Sequence, residues 1–341
     1  MPAVGSRSQP DPLVTIAIPT FNRSRLLKGC LESALAQSYA NIEVLVSDNA
    51  STDDTGRVLE TFADPRLRVV RQQRNIGLLP NWNACLAAAQ GEYIVFLSDD
   101  DRIAPNFLDR CLTLRRYDPQ LPIVVSICDL HSGELLPGRR SDRMHTGVWE
   151  GVQILLEFLR EQITVTICGI VMRTELLRAQ GGFPIDMPFA ADVAAWVPLL
   201  FHGRAGLVND ACATYSIHGA RETSRLKIDQ LLTDCWKSTA IIAELADRSI
   251  NESKLRHRIQ LQARRCFARR GLIILGAFRG NGGTSKDVLR LIWNHRAQFA
   301  RVELIELFRL RRQLLIMVVP LSITGQLRRL KQVLSSSPAS S

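Results

Sequence analysis

The sequence predicts an α/β fold with a mostly parallel central sheet and flanking helices, followed by a C-terminal helical extension. Two observations lead to this prediction. Over the first 120 residues, short apolar runs rich in β-branched residues alternate with amphipathic segments of helical spacing, which is the pattern of a parallel sheet. From residue 226 onward, the chain changes to long helical segments rich in Arg. We therefore expect one large α/β domain with a helical appendage.

The predicted elements of the first half follow one another with short connections, and acidic or amide residues end the strands. In chain order, they are a strand at 13–19, a helix that follows Asn22 and Ser24 and runs through Gln37, a strand at 42–48, a helix around Val58, Leu59 and Phe62, a strand at 67–71, a helix at 81–90 that Pro80 opens and Gly91 ends, and a strand at 91–98.

The second half carries shorter signals. The predicted elements are a strand at 163–171, a helix at 173–177, a turn at 181–184, a helix beginning near residue 190, and two closing strands at 205–210 and 211–218. A helical extension then covers 226–332, interrupted at 280–283, and a disordered tail covers 333–341. Residues 1–11 are expected to form a flexible lead.

Three consecutive acids, Asp99, Asp100 and Asp101, follow the strand at 91–98. This position is the loop rim of an open α/β sheet, where such sheets bind ligands. Mg²⁺ and Mn²⁺ take oxygen ligands and are commonly held by one or two carboxylates together with substrate phosphates. The turn therefore predicts a divalent metal that holds a diphosphate. The alternative is a solvated acidic turn before the helix that follows Pro105.

Four segments at the ends of predicted strands or in the loops that follow them occur in a fixed order, at 14–22, 46–54, 75–77 and 91–101. They resemble the inverting glycosyltransferases of family 2, which have the GT-A fold. The resemblance covers roughly residues 12 to 222 and is closer in the first half. It implies a nucleotide-sugar-binding half at 12–120 and an acceptor-binding half at 121–225. The implied reaction moves a sugar from a nucleotide-diphosphate donor to an acceptor hydroxyl with inversion of the anomeric configuration.

The resemblance also implies roles for individual residues. The nucleotide-sugar site would comprise Pro19, Thr20, Phe21, Asp48, Arg74 and Asp99. Asp48 would accept a hydrogen bond from the base, which suits an acceptor-only carboxylate. Two alternatives stay open: Pro19 simply ends a strand, and Asp48 with Ser51 satisfies backbone donors in a turn.

The metal site implied by the resemblance comprises Asp100, Asp101 and His218, binding Mn²⁺ or Mg²⁺. Asp100 is the favoured direct ligand, although Ser98 stands where many relatives have a first acid. His218 begins a loop at 218–224 and would bind metal or diphosphate; the alternative is a hydrogen-bonded structural residue.

The general base implied by the resemblance is Asp192, at the start of the helix near residue 190, because inversion by direct displacement needs a group that takes the proton of the attacking hydroxyl. Ala191 replaces the companion acid that is common in the family. The alternative for Asp192 is an ordinary first-turn residue favoured by the helix dipole.

Composition and charge favour an intracellular enzyme. The eight Cys lack paired metal-ligand spacing, and the N-terminus lacks the apolar core of a secretory signal, so we expect a cytoplasmic protein with reduced thiols. Residues 251–341 hold 18 Lys and Arg against 4 acids. Within them, the apolar run 314–323 is too short to span a bilayer, but segment 309–331 could lie on the inner face of the cell membrane; the alternative is a helix packed on the catalytic domain.

The sequence therefore favours a glycosyltransferase with a UDP-sugar donor and a glycan or lipid-linked acceptor, acting in bacterial surface polysaccharide or lipid-linked glycan synthesis. The processive signature Gln-x-x-Arg-Trp is absent from the sequence, which favours single addition. Two other classes of protein fit the sequence less well. A nucleotidyltransferase would usually carry a Gly-rich phosphate loop after the first strand. A nucleic-acid-binding protein would interleave aromatic residues in its basic tail, so no nucleic-acid partner is expected.

Overall fold

The computed structural model describes residues 11–218 and 226–299. The chain divides into two compact units, Met1–Ser224 and Arg225–Ser341, which are called the N-terminal unit and the C-terminal unit. Four stretches with predictions lie outside the described residues: residues 1–10 of the lead, 219–224 of the loop after His218, 300–332 of the helical extension with its proposed membrane segment 309–331, and the tail 333–341.

The N-terminal unit alternates strands and helices along the chain. Its elements are β1 Val14–Thr20, α1 Ser24–Leu35, β2 Ile42–Asp48, α2 Thr55–Glu60, β3 Leu67–Arg71, α3 Leu78–Ala88, β4 Tyr93–Phe96, β5 Arg102–Ile103, α4 Phe107–Thr113, β6 Ile123–His131, β7 Leu135–Leu136, β8 Gly147–Glu150, α5 Gly151–Leu159, β9 Ile170–Arg173, α6 Thr174–Ala179, α7 Ala191–Trp196 and β10 Arg204–Ser216.

These strands form one sheet in the order β3-β2-β1-β4-β9-β6-β10-β5, with β7 beside β6 and β8 beside β10. Strands β3, β2, β1 and β4 are mutually parallel, as are β6 and β10, whereas β9, β5, β7 and β8 pair antiparallel. The mainly parallel α/β sheet predicted from the sequence is confirmed. Because parallel strands end at the same edge, the loops after β1, β2 and β4 lie side by side.

The core lies around the central strands. Every residue of β1, β2 and β4 is buried, because helices cover both faces of a parallel sheet, and such strands therefore read as continuous apolar runs. The edge strand β3 is only partly buried. Helix α1 packs on the sheet through Leu27, Cys30, Leu31 and Ala34, which are spaced to fall on one face.

Two strand predictions in the second half were wrong. Within 163–171, only Ile170 and Val171 belong to a strand, because a 3₁₀ turn occupies Ile167–Gly169 before β9. At this turn the chain passes close to β6: a Cβ on Gly169 would lie 2.4 Å from the Cys128 Sγ. The two predicted closing strands are one strand, β10, whose pairing with β6 shifts register after Val208 and again after Ala211. These irregularities bend the strand without ending it.

The C-terminal unit is helical in its described part, with α8 Ile228–Ser249, α9 Ser253–Gly280, α10 Ser285–Asn294 and α11 Arg296–Phe299. Helices α8 and α9 pack against each other, and the Trp236 and Phe267 rings meet edge to face at 5.2 Å. The break predicted at 280–283 is present, and a second break at 250–252 was not predicted. Among the residues described, no helix combines the length and apolarity needed to cross a membrane.

Candidate active site

The carboxyl ends of β1, β2 and β4 bring several predicted site residues together. Thr20 lies opposite Asp48 in the parallel register of β1 and β2. The Thr20 hydroxyl donates to the Asp99 Oδ2 at 2.7 Å, across 79 residues of chain. Phe21, the next residue, is 37% exposed, so its ring is available to a ligand at this edge. Thr20, Asp48 and Asp99 therefore belong to one local site.

Pro19 is buried inside β1 and does not end the strand, which continues to Thr20. A proline cannot donate to a sheet ladder, so its place in a central strand needs an explanation. Pairing between β1 and β4 ends at Ala17 and Phe96, with one further bond from the Leu97 N–H to the Ala17 carbonyl. Pro19 lies beyond that pairing, so no hydrogen bond to β4 is lost because Pro19 lacks an N–H.

Asp48 is buried and already bonded. Its Oδ1 accepts from the Ser51 N–H at 2.9 Å, and its Oδ2 lies 3.3 Å from the Arg71 Nε. The turn contact that the sequence left open as an alternative is therefore present. The role of Asp48 in binding a base stays a prediction, and a carboxylate has lone pairs for a further donor.

Amide side chains hold the loops around this edge. Asn22 and Ala50 both adopt left-handed backbone angles, with φ of 53° and 62°. The Asn22 Oδ1 accepts from the Thr52 N–H at 2.8 Å, which joins the loop after β1 to the loop after β2. The Asn49 Oδ1 accepts from the Ile76 N–H at 2.9 Å and so joins the next loop. Arg74 is exposed in that third loop.

Asp99 is a buried carboxyl with few donors. Burial raises its pKa to about 7; the Thr20 hydroxyl and the Phe21 N–H oppose the rise, and the neighbouring Asp100 adds to it. A carboxyl with a pKa near neutral pH at the ligand-binding edge of an α/β sheet is typical of a functional site, because a bound ligand or cation can stabilise its charged form.

Asp100 lies beside two basic side chains. Its Oδ2 lies 2.9 Å from the His218 Nε2 and 4.0 Å from the Arg23 Nη1. No group of three or more His, Cys, Asp or Glu side chains that could hold a metal ion occurs among residues 11–218 and 226–299. The converging carboxylate and imidazole would fit a divalent ion that takes its remaining ligands from a diphosphate and water.

Asp101 faces a different environment. It is 0% exposed, and its Oδ1 accepts from the Ser216 N–H at 2.8 Å. Burial, together with Asp100, raises its pKa well above the usual range. The three adjacent acids therefore have three different sets of neighbours: Thr20 for Asp99, His218 for Asp100 and Ser216 for Asp101.

Asp192 lies half-buried in the first turn of α7, where its Oδ1 accepts from the Val193 N–H at 2.8 Å. The loop before α7 is anchored to α3. Asn83 donates to the Phe183 carbonyl at 2.8 Å and accepts from the Phe183 N–H at 2.9 Å. Gly182 has φ of +70°, and a Cβ there would meet the Asn83 Oδ1 at 2.5 Å. These contacts hold the turn at 181–184 against α3.

Sequence reasoning missed Arg23, Asn83 and Ser216. Arg23 directly follows the predicted segment 14–22, and its position after the strand was the available signal. Asn83 and Ser216 carry no local signal, because their partners Phe183 and Asp101 are 100 and 115 residues away.

An open, mainly parallel sheet binds its ligand at the carboxyl ends of its strands, and many enzymes that bind nucleotides are built in this way. In this protein, the three acids after β4 lie at that edge. Residues 15–177 match the family model described as "Glycosyl transferase family 2". Residues 15–177 therefore form a glycosyltransferase family 2 domain, and the resemblance seen in the four sequence segments is confirmed.

Two relatives show how far the similarity extends. An uncharacterized protein of Mycobacterium tuberculosis is 28% identical over 234 residues, which are 66% of this chain and 73% of that protein. The chondroitin synthase of Escherichia coli is 31% identical over 223 residues, which are 64% of this chain but 31% of the synthase. The matched region is thus under a third of the synthase.

Solved structures agree on the fold. TarS 1–349 of S. aureus, determined with UDP-GlcNAc, has a TM-score of 0.63 at 17% identity and covers 89% of this chain and 90% of that one. The mannosyltransferase PcManGT of Pyrobaculum calidifontis, determined with GDP-Man and Mn²⁺, has a TM-score of 0.50 at 18% identity and covers 90% and 85%. At such identities the likeness shows the GT-A fold alone.

Proposed function

We propose that this protein transfers a sugar from a nucleotide-diphosphate donor, with a UDP-sugar favoured, to an acceptor hydroxyl with inversion at the anomeric carbon. The observation that carries the proposal is the set of acids after β4: one bonded to Thr20 at the end of β1, and the next paired with His218. Family 2 membership and the nucleotide sugars bound by two proteins of like fold support it.

The donor would bind across the ends of β1, β2 and β4. Pro19, Thr20 and Phe21 would line the nucleoside pocket, and Asp48 would accept a hydrogen bond from the base. Asp99 would bind the ribose, because its buried carboxyl has few other donors. Arg74, exposed in the loop after β3, would approach the diphosphate.

Asp100 and His218 would hold Mn²⁺ or Mg²⁺. When bound, the ion would neutralise charge on the diphosphate as it leaves. The protein's own part is positional: the carboxylate and the imidazole already lie 2.9 Å apart on separate segments of the chain. The Arg23 guanidinium lies near the same carboxylate and would add positive charge at the leaving group.

Asp192 would take the proton of the acceptor hydroxyl. As that oxygen forms a bond to the anomeric carbon, the bond from the carbon to the diphosphate oxygen breaks on the opposite face, and the configuration inverts. The carboxylate must be held in place for this transfer. The bonds between Asn83 and Phe183 support that role, because they anchor the loop that leads to α7.

The proposed acceptor is a glycan or a lipid-linked glycan of bacterial surface polysaccharide synthesis. Relatives that include a chondroitin synthase support this class. The proposed place of action is the cytoplasm, with contact to the inner face of the membrane through 309–331, a segment outside the described residues.

The first test is a thermal-shift screen against UDP, GDP, CDP and dTDP, each with and without Mn²⁺. A metal-dependent rise in Tm with UDP is expected, because a ligand that binds the folded state stabilises it. Transfer from UDP-sugars would then be compared for Asp192→Asn and for Asp142→Asn, an exposed aspartate of the same unit that serves as control. Absence of any shift, or full transfer by Asp192→Asn, would refute the corresponding part of the proposal.

A further inference from the structure

The side chain of Asp101 is buried and hydrogen-bonded to the end of β10, which lies more than 100 residues later in the chain. It is 0% exposed, and its Oδ1 accepts from the backbone N–H of Ser216 at 2.8 Å. The Ser216 hydroxyl in turn donates to the main-chain carbonyl of Asp100 at 2.6 Å. Two hydrogen bonds thus join the acidic turn to the last residue of β10.

This joint lies two residues before His218. Between them, the Ile217 N–H donates to the His131 carbonyl at 2.7 Å, which ties the same strand end to β6. His218 then reaches back to Asp100, with Nε2 at 2.9 Å from Oδ2. The chain therefore closes a ring from Asp100 through Asp101, Ser216 and His218 to Asp100 again.

We propose that Asp101 is a positioning residue and not a metal ligand: its carboxyl holds the Ser216 N–H and thereby places the His218 imidazole against Asp100. The inference rests on the proposed function in one respect, namely that Asp100 and His218 hold the metal. It assigns a separate task to each acid of the turn.

The surroundings of the two carboxyls support this division. The Asp100 side chain keeps 12% of its surface exposed and lies beside His218 and Arg23. The Asp101 side chain is 0% exposed, and its neighbours include the Cys128 and Cys168 thiols, of which Cys168 acts as a weak hydrogen-bond donor to the carboxyl. A metal that also binds an incoming diphosphate needs ligands that solvent can reach, and Asp100 meets that requirement while Asp101 does not.

A conservative substitution separates the two roles. In Asp101→Asn, the amide oxygen can still accept from the Ser216 N–H, whereas an amide is a poor replacement for a carboxylate that ligates a divalent cation. We expect Asp101→Asn to keep the affinity for Mn²⁺ in the presence of UDP within about threefold, since the acceptor of that bond is retained. We expect Asp101→Ala to lose about 10–100-fold, the usual loss when a supporting hydrogen bond to a ligand is removed.

The affinity is measured by the electron paramagnetic resonance of free Mn²⁺ titrated against protein and UDP, with Asp100→Asn as the matched variant. If Asp101→Asn loses as much Mn²⁺ affinity as Asp100→Asn while the NMR resonances of the His218 imidazole stay unchanged, the proposal is overturned. In a double-mutant cycle, Asp101→Ala should add little to His218→Ala, because both act through the imidazole. Additive losses would count against the proposal.

A second measurement needs no metal. The imidazole resonances of His218, assigned by comparison with His218→Gln, are followed in metal-free protein by nitrogen-15 NMR. We expect them to shift in Asp101→Ala and to stay in place in Asp101→Asn. Ser216→Ala keeps the N–H that Asp101 binds and loses only the hydroxyl bond to the Asp100 carbonyl, so it should shift them less than Asp101→Ala. If Asp101→Ala does not fold, Asp101→Leu, which has a similar volume and no acceptor, takes its place. Unchanged Mn²⁺ affinity in both Asp100→Asn and His218→Ala would instead refute the proposed metal site, while the NMR result would still judge the role of Asp101.

Discussion

The amino and carboxyl ends of the central strands each contain a buried carboxyl, and the two carboxyls differ in how many hydrogen-bond donors the protein gives them. Glu43, near the start of β2, and Asp99, after β4, are both 8% exposed. Glu43 accepts from the Thr15 hydroxyl and the Gln90 N–H, each at 2.5 Å, and from the Arg68 guanidinium at 3.0 Å. Asp99 accepts from the Thr20 hydroxyl at 2.7 Å and from the Phe21 N–H.

The pKa of each carboxyl follows from this difference. Burial raises the pKa of both. At Glu43 the hydrogen bonds from Thr15, Gln90 and Arg68 outweigh burial, so its pKa is lowered. At Asp99 burial dominates, so its pKa rises to about 7. The amino end of the sheet satisfies its carboxylate with protein donors, whereas the carboxyl end leaves a carboxyl that a ligand can satisfy.

The largest expected effects are losses of transfer activity in variants that still fold. Asp192→Asn should lower kcat by about 10²–10⁴-fold, because general base catalysis contributes about that much. Asp100→Ala should remove most activity through lost affinity for metal and diphosphate. Asp192→Asn should unfold at the same urea concentration as the parent, because the amide oxygen can still accept from the Val193 N–H. Asp100→Ala should still fold, although it loses the bond to His218. Turnover retained in either variant would exclude that residue from the mechanism.

The next effect concerns Asp99 in metal-free buffer containing a chelator. Because its folded pKa is raised, the folded state binds the proton more tightly, and stability falls as pH rises from about 4 to about 7. An amide has no such dependence. Asp99→Asn should therefore be more stable than the parent at pH 8, by on the order of a few kcal/mol, and not at pH 4. Urea unfolding at both pH values measures this; a variant less stable at pH 8 would contradict the contrast between the two ends.

Glu43→Gln should act in the opposite direction. At pH 7 the loss of the carboxylate weakens the bonds from Thr15, Gln90 and Arg68 and should cost about 1–2 kcal/mol in unfolding free energy, with the Arg68 contribution reduced because that side chain is 35% exposed. The matched control is Glu60→Gln, an exposed position at the end of α2 that should change little. Equal stability of parent and Glu43→Gln would show that the network does not hold the amino end of the sheet.

The smallest expected effect is the pH dependence of the difference in unfolding free energy between the parent and Glu43→Gln. A carboxyl whose folded pKa is lowered contributes stability above its unfolded pKa, about 4.3 for Glu, and this contribution is lost as pH falls through the folded value. The gap between parent and Glu43→Gln should therefore be present at pH 7 and shrink below about pH 4. A gap that is constant with pH would assign the loss to packing and not to the charge.

Much of the first half could be predicted from the sequence because its signals are local. Strands β2 and β3 have the predicted bounds, and β1 and α1 differ from the predictions only at their ends. A strand buried on both faces reads as an apolar run, and a helix that packs on a sheet shows apolar residues at helical spacing. The second half was harder, because β10 carries irregular pairing and β9 follows a 3₁₀ turn set by a close approach to Cys128.

The sequence by itself determined the fold class, the family and the identity of the acids after β4, since these depend on short runs of adjacent residues. Only the tertiary structure decided which carboxyl has which neighbour. Asp99 meets Thr20 across 79 residues, Asp101 meets Ser216 across 115, and Glu43 meets Gln90 across 47. Hydrogen bonds and burial depend on distance in space, and no local periodicity carries that distance.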